Sequence, residues 1–186
     1  MKFLKTLSVL MVSLLVFAFT SNLKSDKTIS EMVSENQDLS TLLTALKSAD
    51  LVETLKGEGP YTVFAPTNEA FKNLPAGKLD ELLKPENKEE LAKLLKYHVV
   101  SGELYASDLE DGQMLETLSG EKIKISMSDN NMGNENEDME DESMPTYKVN
   151  NAKVVQGDLV ASNGIIHIID GVVMPSDLEA IGEVNQ

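Results

Sequence analysis

The chain contains no cysteine, no tryptophan and no arginine. Without cysteine it can form neither a disulfide framework nor a lipidated N-terminal cysteine. Without arginine it lacks the planar group that binds phosphates and carboxylates with two hydrogen bonds, and all 16 basic residues are lysines. A chain of 186 residues is long enough for one domain with a sizeable core. The sequence therefore predicts one domain that folds without covalent cross-links.

Positive charge is scarce as well. The 31 acidic residues outnumber the lysines and give a net charge of -15. This balance argues against nucleic acid as a partner, because such binding needs clustered positive charge to displace counterions. It also argues against direct docking on an anionic membrane. Solubility is favoured, and divalent cations or cationic surfaces are the weak partners that the charge allows.

The N-terminus has the pattern of a secretory signal. Lys2 and Lys5 precede an apolar run, 7–19, that is too short for a typical transmembrane helix. Small residues at Val16 and Ala18 favour cleavage after Ala18. We therefore predict a signal peptide over 1–18, a polar linker over 19–27 and a secreted protein, either periplasmic or extracellular. An uncleaved N-terminal anchor is the alternative.

The first half of the chain has mostly helical patterns. Thr28 and Glu31 have the spacing of a capping box at a helix start. Asp38 or Ser40 is the expected cap of the next helix. Asn87 is expected to open a later helix, also in capping-box form. The sequence thus predicts a helical layer before about residue 97.

One stretch in this half combines a strand, a corner and a helix. Thr62, Val63 and Phe64 favour a short buried strand, and Pro66 ends it because proline has no N–H to donate to a sheet. Thr67 or Asn68 then caps a helix that buries Phe71. A further short helix is expected just before this stretch, over 51–57.

The second half has β patterns. A hairpin is predicted over 114–125 around Ser119-Gly120, and further strands over 147–149, 152–155, 159–161 and 164–169. Turn signals separate these strands, at Asn150-Asn151, Gly157-Asp158 and Asn163-Gly164. Strands that follow a helical block predict an α+β fold with a mixed sheet or a sandwich.

Three segments give a more specific indication: 61–71, 94–100 with its Tyr97-His98 pair, and 161–175. In order and spacing they resemble the signature segments of the fasciclin domain family. The resemblance implies an N-terminal helical layer packed on a β-sandwich or wedge over 28–176. An acidic insertion over 128–146 and a C-terminal tail over 177–186 depart from the family pattern, and position 68 is Asn where the family more often has Asp.

The two histidines, His98 and His167, are candidate functional residues. His98 lies in an apolar setting, so we expect a buried imidazole that is satisfied by a polar partner. The resemblance suggests Asn68 as that partner. His167 alternates with Ile166 and Ile168, so we expect it on the more exposed or helix-facing side of its strand.

A catalytic site is not expected. Ser162, His98 and Asp170 supply the residue types of a hydrolytic triad, but the nucleophile elbow Gly-x-Ser-x-Gly is absent from the sequence. Triads are defined by geometry, so the sequence alone does not exclude one. No acid–base pair or phosphate-binding loop stands out, and we predict that the protein is not an enzyme.

An acidic run between residues 128 and 144 is the most unusual stretch of the chain. Its composition is typical of a solvated loop. Clustered carboxylates also suit weak calcium binding, although the spacing fails the EF-hand pattern. No other cofactor is predicted. The candidate calcium ligands are Asp129, Glu135, Glu137, Asp138, Glu140, Asp141 and Glu142.

The fasciclin resemblance implies a function in adhesion. It favours a secreted bacterial binding module for cell-surface, cell–cell or matrix contacts, with a protein or polysaccharide as partner. In several animal fasciclin proteins the Tyr-His segment is linked to integrin-mediated adhesion, which by resemblance nominates Tyr97 and His98. Both residues also fit as core residues whose mutation harms binding by unfolding. The alternative function is a cation-responsive periplasmic or secreted protein that uses residues 129–142 for weak calcium binding.

Overall fold

The structure, a computed structural model, describes residues 25–128 and 146–175. The predicted signal peptide, most of the linker, the acidic run and the tail lie outside the described residues. Within them, the helices are α1 (Ile29–Glu35), α2 (Ser40–Ser48), α3 (Asn68–Lys72), α4 (Lys78–Leu82) and α5 (Lys88–Tyr97). The strands are β1 (Tyr61–Pro66), β2 (Val99–Ser101), β3 (Met114–Glu116), β4 (Lys122–Ser128), β5 (Thr146–Val149), β6 (Ala152–Ala161) and β7 (Gly164–Ile169).

All of these strands join one curled sheet in the order β2-β1-β7-β6-β5-β4-β3. β1 and β7 pair in parallel, whereas the other neighbours are antiparallel. The two outermost strands meet, because Val100 forms a bridge with Thr117 and the Leu118 N–H donates to the Val99 carbonyl at 2.8 Å. The sheet therefore curves round on itself into a nearly closed wedge.

The curled sheet separates two apolar cores. The helix-side core lies between the helices and one face of the sheet, and includes Leu42, Leu91, Ile166 and Ile168. The inner core lies inside the curl, where every strand contributes a side chain. Its buried members are Phe64, Tyr97, Val100, Leu109, Leu115, Ile123, Ile125, Val149, Ala152, Ile169 and Val173. The predicted α+β class, with a helical layer on a β-wedge, is confirmed.

Local predictions are right at some helix starts and wrong at others. Thr28 forms the predicted capping box: its N–H donates to Glu31 Oε2 at 2.7 Å, and this hydrogen bond lowers the pKa of Glu31. Thr67, rather than Asn68, caps α3 by accepting from the Ala70 N–H. The box at Asn87 is wrong, because the Asn87 amide instead donates to the Glu81 carbonyl at 2.8 Å.

The strands follow the predicted pattern with one merger. The hairpin of β3 and β4 and the strands β5 and β7 are confirmed. The predicted strands 152–155 and 159–161 are one strand, β6, whose register against β7 shifts between Gln156 and Leu159. Gly157-Asp158 therefore produces a bulge and not a turn. The expected helix over 51–57 is a single 3₁₀ turn at Thr54–Lys56.

Candidate functional site

The Tyr-His segment lies where α5 ends and β2 begins. Tyr97 is buried, and its hydroxyl donates to the Lys122 carbonyl at 3.1 Å and accepts from the Asn150 amide at 3.2 Å. The ring packs in the inner core. Tyr97 therefore links α5 to β4 and to the turn between β5 and β6, and a partner at the surface does not reach it in this conformation.

His98 is buried beside Tyr97, with 3% of its surface exposed. The ring contacts the Leu94 carbonyl through Nδ1 at 2.8 Å, and Nε2 accepts from the Val173 N–H at 3.0 Å. Because Nε2 accepts, the proton resides on Nδ1, which donates to Leu94. Burial lowers the pKa of His98 to about 4, against the raising effect of the Leu94 hydrogen bond. The imidazole is therefore neutral at pH 7, with both nitrogens occupied.

The predicted pair of Asn68 with His98 is wrong. Asn68 Oδ1 accepts from the Thr41 N–H at 2.8 Å and from the Ser40 hydroxyl at 3.2 Å, while Nδ2 donates to the Gln37 carbonyl at 2.8 Å. The physical reason is that α2 begins without a side-chain cap of its own. Asn68, from the start of α3, supplies the missing acceptor, so neither Asp38 nor Ser40 has the predicted capping role.

His167 also departs from its prediction. Ile166 and Ile168 face the helix-side core, so His167 points to the opposite side of β7, into the interior of the curl, where it is fully buried. Its ring stacks on Phe64 with centroids 5.5 Å apart. Nε2 donates to the Leu104 carbonyl at 2.8 Å, and Nδ1 accepts from the Asp158 N–H at 3.4 Å. Burial lowers the pKa of His167, against the raising effects of Leu104 and Asp158.

Thr62 completes this arrangement from the neighbouring strand β1. Its buried hydroxyl donates to the Gly102 carbonyl at 2.7 Å and accepts from the Leu104 N–H at 2.9 Å. The backbone of Leu104 thus has its N–H bound by Thr62 and its carbonyl bound by His167. These two side chains fix an irregular segment that has no strand partner of its own.

The hydrolytic triad is not assembled. Ser162 and Asp170 lie at opposite ends of β7, about 20 Å apart for a strand of this length. The Ser162 N–H donates to the Lys27 carbonyl, and Asp170 Oδ1 accepts from the Lys153 N–H at 2.7 Å. Since both nitrogens of His98 are engaged elsewhere, these residues form no nucleophile–base pair.

The acidic run falls outside the described residues, so the predicted calcium ligands from Asp129 to Glu142 stay a prediction. In the ranges 25–128 and 146–175, no group of three or more His, Asp or Glu side chains is placed to hold a metal ion.

Asn163 is a key residue that the sequence indicates only as part of a turn. Its Oδ1 accepts from the Ile29 N–H at 2.9 Å. Its Nδ2 donates to the carbonyls of Leu55 and Gly57 at 2.8 and 2.9 Å. Asn163 therefore connects α1, the turn at 54–57 and the β6–β7 hairpin. A single sequence carries no signal for this role, because Asn is common in any hairpin turn.

The accessible features lie on the outer surface. Beside Asn163 there is an open depression of about 360 Å³, lined by Glu58, Gly59, Pro60, Glu103, Ser162 and Asn163. Met114 and Val155 are large apolar side chains that are more than half exposed, at 53% and 54%.

Comparison with known sequences identifies the fold and the family. A sequence model of the family described as the Fasciclin domain matches residues 37–175. The chain belongs to the fasciclin domain family. A cyanobacterial relative, Protein sll1483 of Synechocystis, is 45% identical over 151 residues, which cover 81% of this chain and 75% of the relative. The transforming growth factor-beta-induced protein ig-h3 of the pig is 38% identical over 148 residues, and the match covers 80% of this chain but 19% of that protein.

A solved structure supports the same fold. The fasciclin domain superimposes on one from a FAS1 domain pair of the insect cell adhesion molecule Fasciclin I with a TM-score of 0.68 and 16% sequence identity. The match covers 82% of this chain and 52% of that chain. At this level of identity, the likeness establishes the shared fold alone.

Proposed function

We propose that this fasciclin domain is a secreted, non-enzymatic binding module that makes adhesive contacts at a cell surface or in an extracellular matrix. The observation that carries the proposal is the family match over residues 37–175. It is supported by the fold shared with a domain pair from an insect cell adhesion molecule. The step from the shared fold to an adhesive function is made by analogy.

The interior of the domain supports a scaffold role for its signature residues. The polar side-chain atoms form hydrogen bonds with the protein's own backbone or with Asn150 in all three residues, Tyr97, His98 and His167. We propose that Tyr97 and His98 act on adhesion only through the stability of the scaffold. The partner then contacts the outer faces and loops.

The test measures binding of the purified protein to cells and extracellular matrix from the organism that produces it. An unrelated acidic protein of similar size is the control. We expect saturable binding that excess unlabelled protein displaces. Absence of saturable binding to both cells and matrix would overturn the adhesion proposal.

A matched pair of variants tests the scaffold role. Tyr97→Phe keeps the buried ring and loses the hydroxyl bonds, whereas Tyr105→Phe removes a hydroxyl at a site that is 36% exposed. We expect Tyr97→Phe to lower the melting temperature and to bind normally well below it. Loss of binding in a Tyr97→Phe protein that is still fully folded would show a direct role for Tyr97.

Secretion and the calcium alternative need separate tests. No helix in the described ranges is long and apolar enough to span a membrane. Fractionation of the cells that produce the protein would separate periplasmic from extracellular protein, and N-terminal sequencing would find or refute cleavage after Ala18.

Weak calcium binding is tested by circular dichroism and protease sensitivity in millimolar calcium and in chelator, with and without residues 129–142. Identical results in calcium and chelator would exclude the cation-responsive alternative.

A further inference from the structure

The lysines of the second half of the chain are gathered on one surface. After Lys96 the sequence contains Lys122, Lys124, Lys148 and Lys153 and no other lysine. Their neighbours Ile123, Ile125, Val149 and Ala152 point into the inner core. Because side chains alternate along a strand, all four lysines point outward from β4, β5 and β6, and all four are exposed. We call this surface the lysine face.

The register of the strands brings these lysines close together. Lys148 and Lys153 are direct cross-strand partners. Ser126 opposes Lys148, which makes Lys124 a diagonal neighbour of Lys148 at about 7–8 Å between backbones. Lys122 follows two residues away on the same side of β4, about 7 Å along the strand. The lysine face is therefore a continuous positive stripe across three strands.

Within the ranges 25–128 and 146–175, no ion pair neutralises this stripe. Among the described residues, the ion pairs involve other lysines, and none of these four ammonium groups pairs with a carboxylate. Glu116 opposes Lys122 in the register of β3 and β4, but does not come within ion-pair distance. Like charges directly opposite each other in a sheet are destabilising. The four lysines thus give a protein with a net charge of -15 a local positive surface, at a cost in stability where Lys148 and Lys153 oppose each other.

We propose that the lysine face is a binding site for an acidic polysaccharide, whose carboxylate or sulfate groups recur along a narrow, extended chain. This inference rests on the proposed adhesive function and names the class of partner. Lysine ammonium groups act as point charges and do not require the paired geometry that arginine provides. A narrow chain can follow the stripe, and carboxylates of the protein that lie further from that chain than the Debye length of about 8–10 Å are largely screened.

Other anionic macromolecules fit this face less well. An anionic membrane is an extended charged plane, which would also approach the acidic surface around the stripe. Single-stranded nucleic acids are usually held by aromatic rings on which the bases stack. No aromatic ring is among the outward neighbours of the lysines on β3, β4 and β6, which are Met114, Glu116, Ser126 and Val155. A linear acidic polysaccharide is therefore the partner that charge and shape favour.

The test measures binding of the full purified protein to immobilised polygalacturonate, with neutral dextran as a reference. The site variant is Lys124→Gln/Lys148→Gln/Lys153→Gln. The matched control is Lys47→Gln/Lys72→Gln/Lys84→Gln, which changes the net charge equally at exposed lysines elsewhere. We expect salt-sensitive binding to polygalacturonate, weakened about tenfold or more in the site variant because each lysine near an anionic surface contributes a severalfold effect. The control should change binding by less than about twofold.

Stability provides an independent readout. Removing the Lys148–Lys153 repulsion should leave the site variant at least as stable as the parent to thermal unfolding, so weaker binding would not come from unfolding. Equal weakening in both triple variants, no binding of the parent to polygalacturonate, or equally tight binding to anionic vesicles or single-stranded DNA would overturn the proposal.

The same proteins are tested on host matrix in parallel. A parent that binds matrix but not polygalacturonate refutes the lysine face and leaves the adhesive function standing. A parent that binds polygalacturonate through the lysine face but neither cells nor matrix supports the site and refutes adhesion.

Discussion

The helix-side core and the inner core of this fasciclin domain are held together in different ways. On the helix side, buried apolar residues from the helices pack against Val63, Ala65, Ile166 and Ile168 of the sheet. Inside and beside the inner core, Thr62, Tyr97, His98 and His167 are buried polar side chains that bind backbone groups. One core is sealed by packing, and the other also requires a set of specific hydrogen bonds.

The difference follows from the backbone that each core must cover. Helices satisfy most of their own N–H and carbonyl groups, so their buried faces are mainly apolar, and polar partners such as Asn68 and Asn163 act near their ends. The inner core is closed by irregular segments around Leu104 and Val173, whose buried backbone groups lack strand partners. Polar side chains replace the missing partners, and no buried side-chain nitrogen or oxygen in the described ranges is left without a hydrogen bond.

The largest loss of stability is expected where β1 and β7, the strands between the two cores, pair with each other. A Cβ on Gly164 would lie 1.9 Å from the Tyr61 carbonyl oxygen, and the residue has a φ of +154°. We expect Gly164→Ala to separate the parallel strand pair and to cost about 4 kcal/mol or more, as the few most severe substitutions do. Denaturant unfolding measures this loss in the free energy of unfolding.

Gly112 offers the matched control for this prediction. It also has a positive φ, of +77°, but a Cβ added there would have no other atom within 4 Å. Gly112→Ala should cost only about 1 kcal/mol, the penalty for the left-handed backbone. Equal losses in the two variants would show that backbone conformation, and not the close approach of β1 and β7, limits position 164.

Acid should weaken the inner core selectively. Burial holds the pKa of His98 at about 4, below its ordinary value of 6.5, so the unfolded chain binds a proton that the folded protein does not. The stability that neutral His98 provides is complete above pH 6.5 and falls as the pH drops towards 4. The loss over this window is about 3 kcal/mol. His167, whose pKa is also lowered, adds a loss of the same sign.

Variants in the two cores separate this effect from general acid sensitivity. Leu91→Ala in the helix-side core should cost about 3 kcal/mol, equally at about pH 7 and pH 5. His98→Gln, which cannot take up a proton, should be destabilised at pH 7 and approach the parent's stability at pH 5. A pH dependence unchanged by His98→Gln would exclude His98 as its source.

Substitutions at Thr62 test the hydrogen bonds of the inner core, with a smaller expected loss of stability. Thr62→Val keeps the shape but leaves the Gly102 carbonyl and the Leu104 N–H unpaired, for an expected cost of about 2 kcal/mol. Thr62→Ser keeps the hydroxyl and loses a methyl group, at about 1 kcal/mol. If valine were tolerated better than serine in thermal unfolding, packing would dominate the inner core as it does the helix side.

Asn68 gives the smallest expected change, on the helix side. Asn68→Ala removes the acceptor for the Thr41 N–H at the start of α2 and should cost about 1 kcal/mol. Asn68→Asp keeps this acceptor but loses the donor to Gln37 and sets a carboxylate oxygen against that carbonyl, so thermal unfolding should place it between the parent and the alanine variant. An aspartate variant as unstable as alanine would show that the Gln37 bond carries the effect.

The sequence predicts what depends on local pattern. The Thr28 capping box, the β3–β4 hairpin and the strand at 164–169 follow from neighbouring residues, and the structure contains them. The three signature segments also identify the family and thereby the α+β wedge.

Predictions that require knowledge of distant partners are wrong. His98 pairs with Val173, 75 positions away, and Asn68 reaches back to Gln37 and Thr41. The prediction for His167 fails because alternation separates the two sides of a strand but does not say that both are buried. The lysine face is also invisible in the sequence, since Lys124 and Lys148 become neighbours only through the pairing of β4 with β5.

The contact between Val100 and Thr117 has a consequence for aggregation. By bringing β2 against the end of β3, it shields edges of the described sheet that would otherwise present unpaired backbone to other copies. In the secreted location that we propose, the protein is beyond the reach of cytoplasmic chaperones and is exposed to edge-to-edge aggregation for as long as it persists. The contact between the two ends of the curled sheet protects the domain from this aggregation without any disulfide.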